Sequence, residues 1–460
     1  MKSRTSFFNS ALFQKDITRF APLWALYAVG MSLTMLTAYA ALGSYFDPVR
    51  ELGQNIGYYS INNLFYGALV AQLLFGDLFN ARLCNALHAM PMTREARFGS
   101  HITAGLAFSV VPNLAISLLL IPSFGENWYL PFAWLGSMTL QYLFFFGAGV
   151  LAVFCTGNRF AMAVVYAILN FGSMMAYWLA EVVYLPMMNG VVLETDVFGY
   201  FSPIVQMISA DGYFVMTRQE FLYGTAQYQF RGLSESWNYL LIYAGVGLVA
   251  LAAALLLYRK RALETAGDFI AVKWLRPVFL VLYTLCAGAF LSVFGDVFTV
   301  GSSYLIFLIV GLIVGFFTGK MLLERTVRIF TKKSFLHLAI MTAVILLSVG
   351  AAKFDLLGIV RYVPDGEAVS TVTVHSKYGN WKNITLENPE EVDAIRDVHR
   401  LSVEQDCDGS CGREHFYVTI SYALRNGQKV TREYFVHSRS EADLALQALY
   451  ASLGLETGKY

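Results

Sequence analysis

The feature that most constrains this chain is a recurrence of apolar windows of about 20 residues, at 22–42, 58–79, 100–121, 131–154, 160–186, 237–258, 276–296, 303–323 and 334–352. Each is long enough to cross ~30 Å of hydrocarbon. Lipid offers backbone amides no partners, so such windows close their hydrogen bonds internally as helices. Composition agrees: the chain is 57% hydrophobic with mean hydropathy +0.52 and only 14% charged residues, against roughly 25% charged in soluble domains. The expected fold class is an all-α polytopic membrane protein of about nine transmembrane helices, with a small α+β domain at its C-terminal end. The window 58–79 is the most polar, carrying Asn62, Asn63, Gln72 and Asp77.

Lys and Arg then orient the spans. With the N-terminus in the cytosol, the inner segments and adjoining span ends hold eighteen cations, while the four outer loops hold only Arg50, Arg218 and Arg231. The reverse orientation breaks the rule at nearly every loop. This places the protein in the cell membrane with the acidic tail, residues 353–460, outside. The tail has 12 Lys/Arg against 16 Asp/Glu. The net charge of +1 is uninformative, and no basic patch with interleaved aromatics speaks for nucleic acid.

Residues 1–21 place Phe8, Leu12, Phe13, Ile17 and Phe20 on one helical face with Lys15 and Arg19 off it, which suits an amphipathic helix in the membrane interface. A basic lead-in to the first span is the plainer alternative. A cleaved signal peptide fits less well, because the apolar run that follows exceeds the usual ~7–15 residues.

Between the second and third spans lies 80–99, NARLCNALHAMPMTREARFG, a short, basic, amphipathic stretch. Its cations are Arg82, Arg94 and Arg97, and Leu83, Ala86, Leu87 and Met90 recur at the spacing of one helix face. Pro91 stops that helix. A connection this short is a stiff lever, since pressure on it moves both spans. The outer loop 187–236 is instead long and aromatic (Phe198, Tyr200, Phe201, Tyr213, Phe214), a composition that favours dipping into the outer leaflet.

In the tail, 369–374 alternates as a strand, and Asn388-Pro389-Glu390-Glu391 is a capped helix start. Residues 416–424 and 429–436 alternate about Asn426-Gly427, a hairpin signal. Ser438 or Ser440 caps a last helix that Gly454 is placed to end.

No Walker A sequence is present, because Gly319-Lys320 lacks both the earlier glycine and the following Ser/Thr. ATP-driven work would therefore need another polypeptide. Neither H-E-x-x-H nor G-x-S-x-G occurs, and no enzymatic activity, cofactor or resident metal is expected. Gly311, Gly315 and Gly319 recur every fourth residue in the eighth span, a spacing that lets helices approach closely, within the chain or at a subunit interface. Asp77, Glu181 and Asp296 fall at or near span ends, where a carboxylate reaches headgroups or water; Glu181 is placed to line an outward path. Cys407 and Cys411, near His399 and His415, form a disulfide, remain thiols, or with the histidines hold a metal. Cys84, Cys155 and Cys286 fit as packing residues. The sequon Asn383-Ile384-Thr385 matters only in a eukaryotic secretory route.

The segment LHAMPMTREARFGSHI (87–102) resembles the Ser/Ala-x-Pro-x-Thr-Arg-Glu stretch of bacterial type-2 ABC transporter permeases, especially those of Gram-positive bacteria. The large outer loop, the basic YRKR stop at 258–261 and LETAGDFIAVKWLRP (263–277) are similar too, and the tail looks like an uncharacterised domain appended to one subgroup. The resemblance covers most of the chain through short, degenerate motifs. It implies that 22–258 is a six-helix core, that 259–352 adds a cytosolic connector and three further spans, and that 80–97 is the coupling helix gripped by a cytosolic ABC ATPase subunit. Arg82, Leu87, His88, Met90, Pro91, Arg94, Glu95 and Arg97 would make that contact. It also implies re-entrant helices within 187–236, and a second permease copy or a sister permease, amid membrane lipids. Nine spans depart from the family's ordinary six.

The expected function is thus the membrane subunit of an ABC exporter for an amphiphilic, lipid-like or peptide substrate. The alternative is a membrane-anchored sensor whose outer domain binds a peptide or envelope component. A secondary transporter expects inverted repeats and midplane charges, and an integral-membrane enzyme expects clustered acids or metal ligands; the sequence displays neither set.

Overall fold

The computed structural model describes residues 7–42, 52, 56–89, 91–193, 199–209, 213–220, 226–261, 265–298, 304–379, 383–404 and 415–454. Seven segments there are long and apolar enough to cross a membrane: Arg94–Ser123, Gly125–Cys155, Arg159–Met187, Trp237–Lys260, Leu275–Gly295, Leu305–Glu324 and Lys332–Lys353. The windows 22–42 and 58–79 are helical as well, over Ala21–Leu42 and Ile56–Leu74. The second stops short of its apolar window because Gly76–Phe79 tightens into a 3₁₀ turn.

In chain order the helices are α1 (Ser10–Arg19), α2 (Ala21–Leu42), α3 (Ile56–Leu74), α4 (Ala81–His88), α5 (Arg94–Leu120), α6 (Leu130–Cys155), α7 (Arg159–Leu179) and α8 (Pro203–Ser209). The hairpin β1 (Phe214–Glu220) and β2 (Ala226–Leu233) follows, then α9 (Trp237–Lys260), α10 (Leu275–Phe298), α11 (Tyr304–Glu324) and α12 (Lys332–Lys353). The tail adds β3 (Val369–Ser376), β4 (Ile384–Leu386), α13 (Pro389–Glu404), β5 (His415–Leu424), β6 (Lys429–His437) and α14 (Glu441–Ser452).

The chain divides into two compact units. The first comprises Met1–Met174, Asp196–Cys286 and Gly315–Ile329. Its centre is α6, with 78% of its span window buried, against 44% or less for each of the other six. The phenylalanine run Phe144–Phe146 is buried there with Trp134 and Tyr142. Glycine permits the closest approaches: a Cβ on Gly147 would lie 2.5 Å from the Gly247 carbonyl oxygen of α9, and one on Gly67 of α3 would lie 2.8 Å from the Phe146 nitrogen.

A helix forms within 1–21 as α1, with Asn9 as N-cap accepting from the Leu12 amide. Its apolar face packs on the protein: Phe13, Ile17 and Phe20 meet the core, Asn9 donates to Ser100 Oγ at 2.8 Å, and buried Asp16 lies 2.7 Å from His101 Nδ1. In the outer loop, where the resemblance implies re-entrant helices, the described residues form the seven-residue α8 and the β1–β2 hairpin. Tyr213 and Phe214 are buried, whereas Tyr200 and Phe201 are exposed.

The second unit comprises Met175–Thr195, Ala287–Val314 and Phe330–Tyr460. Its globular part is α+β, an antiparallel sheet in the order β4-β3-β5-β6 with α13 and α14 packed on it. Asn426-Gly427 makes the expected hairpin turn, with Gly427 at φ +83°. Of the two candidate serines, Ser440 caps α14, and Gly454 follows its end at φ +70°. The three-residue β4 has no counterpart in the alternation of the sequence. Beyond β6, Glu433 donates its amide to the Gly190 carbonyl at 3.0 Å, and a side chain at Gly190 would strike the Tyr434 ring.

Candidate functional site

The lever expected at 80–99 folds as two helices with a bend between them. Asn80 starts α4 by accepting the amides of Arg82 and Leu83 at 3.0 and 3.4 Å. The helix ends at His88, three residues before Pro91. Thr93, accepting from the Ala96 amide, caps α5. Arg94, Glu95 and Arg97 therefore belong to the first turns of the third-span helix.

Each of these three charges has a partner inside the first unit. Arg94 Nη1 donates to the carbonyls of Tyr258, Arg259 and Arg261 at 2.7, 3.2 and 3.0 Å, and its guanidinium lies 5.5 Å from the Tyr258 ring centroid. It thereby caps the C-terminus of α9, where unpaired carbonyls concentrate negative charge. Glu95 pairs with Arg259 at 3.0 Å. Arg97 pairs with Asp77, and both side chains are under 10% exposed. Asp77, expected to reach headgroups or water, is a buried ion-pair partner instead.

Arg261 extends the arrangement by donating to the Val153 and Phe154 carbonyls at the end of α6. The connector after α9 then closes on the α6–α7 turn: the Gly267 amide donates to the Gly157 carbonyl at 2.6 Å and the Ala271 amide to Cys155 at 2.9 Å. Asp268 binds Arg276 at 3.1 Å and lies 3.9 Å from Arg325. Helix ends of α3, α5, α6 and α9 are thus tied together by charged side chains.

The exposed part of the lever is α4. Cys84 is buried, and burial, with Asp77 second, pushes its thiol up in pKa, so it stays a protonated packing residue. Arg82 and Ala86 are exposed and Leu83 is 53% exposed. Of the residues that carry the apolar spacing, Leu83 and Ala86 are turned away from the core. Pro91 is exposed; the side chains of Leu87 and His88, and all of Met90, lie outside the described residues.

Elsewhere, a Cβ on Gly311 would lie 2.8 Å from the Ala287 carbonyl oxygen, and one on Gly319 2.9 Å from the Tyr283 ring, so both face α10; Gly315 is buried. Glu181 is exposed on a single π-helical turn, Ala180–Tyr184. The Asp296 side chain, Cys407 and Cys411 lie outside the described residues. His399 is fully buried, 3.0 Å from the Tyr422 hydroxyl, and burial with nearby Arg432 and Arg400 pulls its pKa down to about 3. Among the described residues no cluster of His, Cys, Asp and Glu is arranged to hold a metal.

A second polar cluster sits among the helices themselves. Asn63 donates to Gln141 Oε1 at 3.0 Å, Asn113 to the Tyr27 hydroxyl at 3.1 Å, and Tyr66 to the Phe108 carbonyl at 3.0 Å. Only the polar content of the second window pointed to it. Comparison with family models, with curated proteins and with solved structures gives no match for this chain.

Proposed function

We propose that the chain is the membrane subunit of an ATP-driven ABC exporter, with α4 as the surface that a separate ATPase engages. The supporting observation is the outward-turned face of α4: Arg82, Leu83 and Ala86 stand exposed on a helix whose flanks are fixed by buried charge. A partner pressing on that face would load α3 through Asp77, α5 through Arg97 and α9 through Arg94 together. No amphipathic helix this short is stable alone, so its rigidity comes from these attachments. The substrate class remains that implied by the resemblance, an amphiphile moved outward, with a second permease copy completing the path.

The test is co-purification of the full chain with a Walker-bearing ATPase encoded beside it. Arg82→Glu with Leu83→Asp should abolish capture while leaving the protein monodisperse. Undiminished ATPase binding by that variant would sink the proposal. Reversing Arg94 and Arg97 is a poorer test, because both hold the fold.

A sensor is the second reading, favoured by a cavity of about 650 Å³ in the second unit lined by Lys353, Asp355, Arg361, Arg400 and Glu404. Peptide binding to the intact protein that Arg400→Ala removes, without any ATPase partner, would favour it.

A further inference from the structure

At the α9 C-terminal end of the first unit, a groove of about 490 Å³ opens between α6, α7, α9 and α10, within the range of roughly 300–1,000 Å³ typical of small-molecule sites. Its walls are aliphatic: Leu151, Leu169, Leu256 and Val278 line it, and the last three are exposed to about 41, 56 and 43%. All four belong to span helices, so the opening faces hydrocarbon. The mouth has a different chemistry. Lys260, at the last residue of α9, lines it together with Trp274, which is 70% exposed. Lys273 is exposed between the two lining residues Val272 and Trp274.

The neighbouring cations are engaged elsewhere: Arg259 with Glu95, Arg276 with Asp268, and Arg261 with helix-end carbonyls. Among the described residues, Lys260 and Lys273 have no ion-pair partner. Tryptophan settles at the headgroup level of a bilayer, and lysines beside it attract anionic headgroups. An apolar groove bordered by a tryptophan and by two lysines that have no ion-pair partner among the described residues matches one kind of molecule in both its parts.

We propose that this groove is a binding site for one anionic phospholipid, its acyl chain against Leu169, Leu256 and Val278 and its phosphate on Lys260 and Lys273. The proposal does not depend on the transport reading. A lipid seated there would bridge α7, α9 and α10 beside the connector that closes on the α6–α7 turn, so occupancy should also stiffen that corner.

Native mass spectrometry of the purified full chain in a neutral detergent tests it, with phosphatidylglycerol and phosphatidylcholine titrated separately. The wild type should retain one equivalent of phosphatidylglycerol about thirtyfold more tightly than phosphatidylcholine, the size expected from two lysines near an anionic headgroup. Lys260→Ala with Lys273→Ala should erase that preference without altering the thermal midpoint of the lipid-free protein. Ala253→Phe, which fills the groove, should lose the tight equivalent of either lipid; the lysine variant alone decides should this one misfold. Equal retention of both lipids by the wild type, or an unchanged preference in the double lysine variant, overturns the proposal. So does displacement of the lipid by glycerol phosphate at comparable concentration, since that identifies a free-anion site.

Discussion

Arg97 and Asp77 show how a single pair sets the character of the lever. Removing two charges from water costs several kcal/mol each, which their attraction offsets only while both are present. Arg97→Met strands the Asp77 carboxylate and should destabilise the protein by about 3–5 kcal/mol, read as a lowered thermal midpoint of the purified chain. Arg97→Met with Asp77→Leu should recover most of the loss, because neither charge is then left unpaired. A double variant no more stable than the single would show that packing, not the ion pair, holds α5 to the turn after α3. The sequence made both residues visible as charges near span ends, yet it could not pair them. They are twenty positions apart in the chain, and their meeting depends on the 3₁₀ turn at Gly76–Phe79. Hydropathy placed Asp77 inside an apolar window and gave no hint of that turn.

Helices themselves were the most legible part, because a long apolar run in lipid has few alternatives. The tail was legible for another reason: its period-two alternation, turn residues and caps agree with one another, as in the Asn426-Gly427 hairpin and the Ser440 cap. What escaped was packing between helices. Gly311, Gly315 and Gly319 announce themselves by regular spacing within one helix, whereas Gly67, Gly147 and Gly247 come one from each of three helices and form no pattern in sequence. They nonetheless mark the closest approaches of backbone to backbone around α6. A Cβ on Gly247 would sit 2.7 Å from the Leu143 carbonyl oxygen, while Gly245, two residues earlier, has open space. Gly247→Val should therefore push α9 off α6 and sharply reduce the yield of monodisperse protein, and Gly245→Val should be tolerated. Equal yields from the two would remove the close approach as the organising contact. The exposed part of α4 was half legible: the spacing of Leu83 and Ala86 defined a face, but only the buried Cys84 shows which way those two residues point.

At the scale of the whole molecule, everything said about sidedness rests on the eighteen-to-three partition of cations between the two sets of segments. The structure adds a physical reason for that partition to be stable. Arg94, Arg97, Arg261, Arg276 and Arg325 are tied to carboxylates or helix-end carbonyls at one set of helix ends, so dragging them across a bilayer would break those contacts besides incurring the insertion cost of each charge, ~2.5–3.5 kcal/mol. Orientation should consequently be single rather than mixed. With the five native cysteines replaced by alanine, one thiol placed at exposed Arg82 (Arg82→Cys) and another, in a separate chain, at exposed Tyr417 (Tyr417→Cys) report on α4 and on the tail, each by itself. An impermeant maleimide applied to sealed cells should label the chain with the thiol at 417 and spare the one at 82 until the membrane is permeabilised. Labelling at 82 in sealed cells would put α4 on the outer surface, beyond reach of any cytosolic ATPase, and would end the exporter reading. Partial labelling at both positions would show a mixed population, in which charge asymmetry no longer decides how the chain enters the bilayer.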